Sequence, residues 1–159
     1  MQARLDAKQA APAAMKAMGT LSAWVHDCGL ELSLQELVKI RASQINGCAF
    51  CLQLHAQAAR RLGVAEERIY LLNAWREAPV YTPRERAALA WTEALTLLTE
   101  GHVPDAIYEE TRLWFNEQEL VNLSLAITVI NSWNRLMVAF RTLPVMPVMP
   151  VMPANTAPA

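Results

Sequence analysis

Glu36-Leu37-Val38-Lys39-Ile40-Arg41-Ala42-Ser43-Gln44-Ile45-Asn46-Gly47-Cys48-Ala49-Phe50-Cys51-Leu52-Gln53-Leu54-His55 is the stretch on which the reading of this chain turns. Leu37, Val38, Ile40 and Ile45 recur at helical spacing up to Asn46-Gly47, a dipeptide that breaks the pattern. A further helix is expected to start at that break and run to about Leu62-Gly63, so that two antiparallel helices meet at a tight turn. Cys48 and Cys51 then fall on the first turns of the second helix, and His55 continues their face one turn later. Residues three apart in a helix have Cα atoms roughly 5 to 6 Å apart, inside the window for a disulfide, so the pair closes without unwinding the helix. With Asn46 read as the cap, Cys48 occupies the first turn, where free N–H groups and the positive end of the helix dipole favour a thiolate.

Glu36 has two readings. Ser33-x-x-Glu36 has the form of a capping box at the start of the first helix of the pair. Alternatively, a rise of about 1.5 Å per residue on either side of the turn puts Glu36 and His55 at similar depths, where a carboxylate would fix the imidazole's tautomer and raise its basicity. An imidazole so held takes a proton from a thiol directly or through one water. Cys48, Cys51, His55 and Glu36 together read as a redox centre.

Outward from this hairpin, nearly every segment reads as helix, with only five glycines to punctuate the chain. Pro12 suits a first turn, and Met15, Met18, Leu21, Ser22 and Val25 follow at three-to-four spacing as far as Cys28-Gly29. A short helix is expected over Glu66 to Trp75, and Thr82-Pro83-Arg84-Glu85 reads as cap, proline and capping acid for a helix to about Thr99. Two more are expected near Ala106 to Asn116 and from Glu117 to about Arg141. The fold class is all-α: a helical bundle in one domain, residues 1–143. Residues 144–159 form a tail in which Val-Met-Pro occurs three times, a pattern that forbids helix and favours an extended or disordered chain.

Hydrophobic residues make up 53% of the chain and charged residues 18%, an apolar excess that suggests burial between subunits. The 14 basic and 15 acidic residues nearly balance, so no overall field recruits nucleic acid or an anionic membrane, and Arg60-Arg61 reads as a solvated helix end. Apolar runs stop well short of the about 18 residues of a membrane span. Met1 to Ala10 lacks the apolar core of a secretory signal, so a cytoplasmic location is expected. Three cysteines in such a compartment point to catalysis or metal binding rather than to a disulfide framework.

Glu36, the run Lys39 to Cys51 and His55 resemble the alkylhydroperoxidase D-like (AhpD-like) group of the carboxymuconolactone decarboxylase superfamily. The acid-x(11)-Cys-x-x-Cys-x-x-x-His spacing is specific to that group, and a weaker likeness continues through Asn73-Ala74-Trp75-Arg76 and Ile130-Asn131-Ser132-Trp133-Asn134-Arg135. The resemblance implies an all-helical fold, a homo-oligomer (trimer or hexamer), and peroxidase activity through a disulfide cycle. It implies Cys51 as the peroxide-attacking thiol, Cys48 as the resolving thiol, and His55 with Glu36 as proton relay. The implied partners are a hydroperoxide substrate and a lipoyl- or thioredoxin-type dithiol reductant. Some members carry a second histidine where this chain has Phe50, which suits an organic peroxide or a core aromatic.

Three rivals stand beside this reading. A structural zinc site would use Cys28, Cys48, Cys51 and His55. Decarboxylation of a muconolactone-type acid occurs in the superfamily but needs no thiol pair. A helical oligomer with bystander cysteines is the third. His26 and His102 read as residues of turns or helix ends, Cys28 as a small buried hydrophobe, and Trp75, Trp91, Trp114 and Trp133 as packing residues. Arg76 and Arg135 are candidates to line a cleft or pair with Glu77 or Glu93. No phosphate loop or nucleotide fingerprint is present, and no cofactor is implied.

Overall fold

The α3–α4 hairpin organises the computed structural model, which describes residues 2–145. In order the helices are α1 (Ala7–Ala10), α2 (Pro12–His26), α3 (Leu32–Ile45), α4 (Ala49–Arg61), α5 (Glu66–Tyr70), α6 (Pro83–Thr96), α7 (Asp105–Arg112) and α8 (Glu117–Ala139). A 3₁₀ turn over Leu71–Ala74 follows α5, and another over Leu98–Glu100 follows α6. No strand occurs among the described residues, so the fold is all-α as the periodicity requires.

Helix α3 is the central element. It packs against α4, α6 and α8, and its residues Leu37, Val38 and Ala42 are wholly buried. One apolar cluster joins α3 to α6 and α8 through Leu34, Val38, Trp91, Phe115 and Ile127. A second joins α3 to α4, α5 and α6 through Leu37, Ile40, Ala59, Ile69 and Leu89. A smaller one, Ala42, Cys48, Cys51 and Ile130, packs the cysteine pair against α8.

Local signals account for several boundaries. Thr82 and Glu85 form the expected reciprocal cap of α6, with Pro83 in its first turn, and Asn116 and Glu119 do the same for α8. The Ser33 capping box does not form: α3 begins at Leu32 after Glu31, with no side-chain cap. Glu36 is therefore free for a tertiary partner. Helix α1 was not anticipated, although Asp6 caps it by accepting from the amides of Lys8 and Gln9.

Asn46 also differs from expectation, because it closes α3 instead of opening α4. The amides of Gly47 and Cys48 donate to the carbonyls of Gln44 (3.3 Å) and Ser43 (3.0 Å), the paired bonds of a Schellman ending. That ending needs a left-handed residue, and Gly47 supplies it at φ 64°. The chain then enters α4 directly, with Cys48 itself as the N-cap.

The C-terminal segment lies back on this hairpin. Gln53 donates from its amide to the Val145 carbonyl (2.6 Å) and accepts from the Val145 N–H (2.8 Å). Most of the Val-Met-Pro tail, expected to be extended or disordered, lies outside the described residues.

Candidate active site

Cys48 and Cys51 are joined as a disulfide with Cα atoms 5.4 Å apart. Cys48 has an extended backbone, φ −88° and ψ 93°, and its Sγ accepts from the Cys51 N–H at 3.4 Å. A cysteine sulfur thus takes the place that serine or aspartate holds at other helix starts, and both sulfurs meet the positive end of α4. The pair is therefore two positions more N-terminal in its helix than the reading of Asn46 as cap implies. Both cysteines are almost fully buried, but Cys51 borders a cavity of about 660 Å³.

That cavity is walled by Phe50, Leu54 and His55 of α4 and by Val129, Ile130, Trp133 and Met137 of α8. Lys39 of α3, the N-terminal segment around Leu5 to Lys8, and Thr142 and Leu143 complete its rim. Trp133 is fixed there by a 2.8 Å bond from its indole N–H to Ser22 Oγ. The wall is mostly apolar; Cys51 and His55 open onto it, and Asp6, Lys8 and Lys39 bring charge to it.

His55 and Glu36 meet as the depth argument requires, with Nδ1 2.8 Å from Oε2. Burial raises the Glu36 pKa, but the hydrogen bond from His55 and the Lys39 charge outweigh it, and the carboxyl ends below its ordinary value. An ionised Glu36 accepts, so Nδ1 is the donor in this bond and Nε2 is the ring nitrogen left without the carboxylate. Lys39, which the sequence reading did not single out, lies 2.8 Å from the other oxygen, Oε1. Its position three residues after Glu36 on one helix face was the available signal.

A buried amide network holds the turn before the cysteines. Asn46 Nδ2 donates to Oδ1 of Asn131 (2.8 Å) and of Asn134 (2.9 Å), and Asn134 Nδ2 donates to Ser43 Oγ (3.0 Å). Ser43 is the residue whose carbonyl accepts the Cys48 amide, so α8 braces the start of α4 through a short chain of bonds.

The other candidates are dispersed. Cys28 packs against the Leu30–Phe115 cluster, apart from the cluster that holds Cys48 and Cys51. Among the described residues no group of three or more His, Cys, Asp or Glu side chains is placed to hold a metal ion. His26 ends α2 and His102 sits in a turn, both exposed. Arg76 pairs with Glu93 at 2.5 Å, while Arg135 donates to Asn131. Trp75 and Trp91 are buried, Trp133 is half-buried and Trp114 is exposed. No helix among the described residues is long and apolar enough to cross a membrane.

Residues 9–94 match the model of the carboxymuconolactone decarboxylase family. The uncharacterized protein YdfG of Bacillus subtilis (strain 168) is 42% identical over 139 residues, 87% of this chain and 95% of its own. An Agrobacterium tumefaciens protein of unknown function, proposed to be an antioxidant defence protein AhpD, is similar in structure with a TM-score of 0.90. It is 42% identical, over 92% of this chain and 100% of that one. The debrominase Bmp8 shares the fold at a TM-score of 0.77 and 20% identity, over 84% of this chain and 72% of that chain. The chain belongs to the carboxymuconolactone decarboxylase family, as an AhpD-like member.

Proposed function

We propose that the protein is a thiol-dependent peroxidase that reduces hydroperoxides through a Cys48/Cys51 disulfide cycle. The observation that carries this reading is that Cys51, bonded to Cys48, borders the cavity beside His55, whose ring is held by Glu36. Cys48 does not line the cavity, which supports Cys51 as the attacking thiol and Cys48 as the resolving one.

In the cycle, His55 Nε2 takes the Cys51 proton and the thiolate attacks the O–O bond of the hydroperoxide. The bond breaks, Cys51 becomes a sulfenic acid, and the leaving alkoxide takes the proton from His55 to depart as an alcohol. The Cys48 thiol then displaces water from the sulfenic acid, giving the disulfide. A lipoyl- or thioredoxin-type dithiol reduces it through a mixed disulfide and is itself oxidised. No cofactor takes part.

Decarboxylation of a muconolactone-type acid would leave the thiol pair without a task, and the debrominase shows that the fold alone does not choose the reaction. Exposed Leu113, Tyr70 and Val121 support a homo-oligomer, a trimer or hexamer, in which such side chains are covered. The test is hydroperoxide consumption with dihydrolipoamide or reduced thioredoxin as donor. Turnover by the wild type that is abolished in Cys51→Ser supports the reading, and equal turnover by the two removes it.

A further inference from the structure

The Glu36 carboxylate is held from two sides, and only one of them is the imidazole. Oε2 faces His55 Nδ1 and Oε1 faces Lys39 Nζ, each at 2.8 Å, with side-chain exposures of only 9%, 17% and 14% for Glu36, His55 and Lys39. Lys39 Nζ also reaches Gln35 Oε1 at 3.4 Å, and its side chain lines the same cavity as Cys51 and His55. A carboxylate bound at both oxygens cannot turn away from the ring. A carboxylate this far from water also needs a counter-charge. With the ammonium supplying it, the imidazole is not required to do so, and its second nitrogen remains open to accept a thiol proton.

Other charges are placed differently. Asp6 and Lys8 reach the cavity from the cap and body of α1, whereas α2 and α8 present uncharged residues such as Val25, Val129 and Trp133. On α6, Glu93 is engaged by Arg41 and Arg76. The charge partners of Glu36 are Lys39 and His55.

We propose that Lys39 is a positioning residue of the thiol centre, acting through Glu36 to keep the His55 ring aligned and free to accept the proton of the attacking cysteine. The inference rests on the peroxidase reading and adds to it a residue that touches no reacting atom.

The experiment measures kcat/KM for tert-butyl hydroperoxide between about pH 4 and 8 in the wild type, K39M, K39R, E36Q and the E36Q/K39M pair. K39M is expected to lose about tenfold in kcat/KM at neutral pH, with its acid limb moved up by about one pH unit. K39R restores both, and adding K39M to E36Q changes neither. An acid limb in K39M that overlays the wild type, or an undiminished loss in the E36Q background, overturns the proposal. The Glu36 carboxyl resonance, followed by NMR, supplies a readout independent of turnover: its midpoint rises in K39M if Lys39 acts as stated and stays put if it does not. Should K39M fail to fold, K39Q carries the same comparison. Turnover that does not depend on Cys51 sinks the peroxidase reading, while the NMR midpoint still decides for or against Lys39.

Discussion

His55 and Glu36 are separated by 19 positions in the chain, yet Nδ1 of one lies 2.8 Å from Oε2 of the other. The contact exists because Gly47 reverses the chain midway between them, so that α3 and α4 run back side by side. One carboxylate thereby orients His55, the histidine that lines the cavity among the described residues.

Removing either partner separates the proton step from binding. His55→Ala is expected to lower kcat/KM for a hydroperoxide by about 10²- to 10⁴-fold, the usual range for a lost acid–base group. Glu36→Gln keeps the shape and should cost less, because the ring is misoriented rather than absent. Steady-state kinetics of the two variants check the order; a larger loss in Glu36→Gln than in His55→Ala contradicts it.

Acid stability follows from the same pair. Burial works against the ionised Glu36, and the His55 bond and Lys39 charge more than compensate, leaving its pKa below that of the unfolded chain. Its contribution is therefore complete above the unfolded value of about 4.3 and fades as pH falls through the lower folded value. Urea unfolding should show the wild type more stable than Glu36→Gln near neutrality, with the gap closing below about pH 4.3. A gap that widens in acid contradicts the assignment.

Gly47→Ala isolates backbone strain from packing. A Cβ at this position meets nothing within 4 Å, so the cost comes from φ 64° alone. The expected loss is about 1 to 2 kcal/mol in urea unfolding. An unchanged midpoint would mean that the turn relaxes to another form.

Asn134→Ala tests the brace beneath the cysteines. Asn134 is wholly buried, and its removal strips one acceptor from Asn46 and a donor from Ser43. A loss of about 1 to 3 kcal/mol is expected from the groups left unpaired. The Cys48–Cys51 reduction potential should shift along with it, measured against a dithiol redox buffer. A potential identical to the wild type would limit Asn134 to a purely structural part.

Much of this arrangement was legible in the sequence because local signals and the fold agree there. Thr82, Pro83 and Glu85 mark a helix start that tertiary contacts do not contest, and the Cys48, Cys51, His55 and Glu36 spacing places all four at one hairpin. The misreadings occur where a side chain has a better distant partner. Glu36 gives up a cap at Ser33 for His55 and Lys39, and Asn46 gives up the start of α4 for Asn131 and Asn134 on α8. The partners of Asn46 are not visible in a local window, since α8 lies some 85 positions away. The cavity was not legible either, because its wall is assembled from segments as distant as Leu5 and Leu143.

The most direct test of the central claim is a thiol count on fully reduced protein titrated with a hydroperoxide. The account predicts that one equivalent of peroxide removes two of the three thiols, that Cys28 is the one left, and that a dithiol restores the pair. A thiol count that does not fall with added hydroperoxide, or that falls equally in Cys51→Ser, would contradict it.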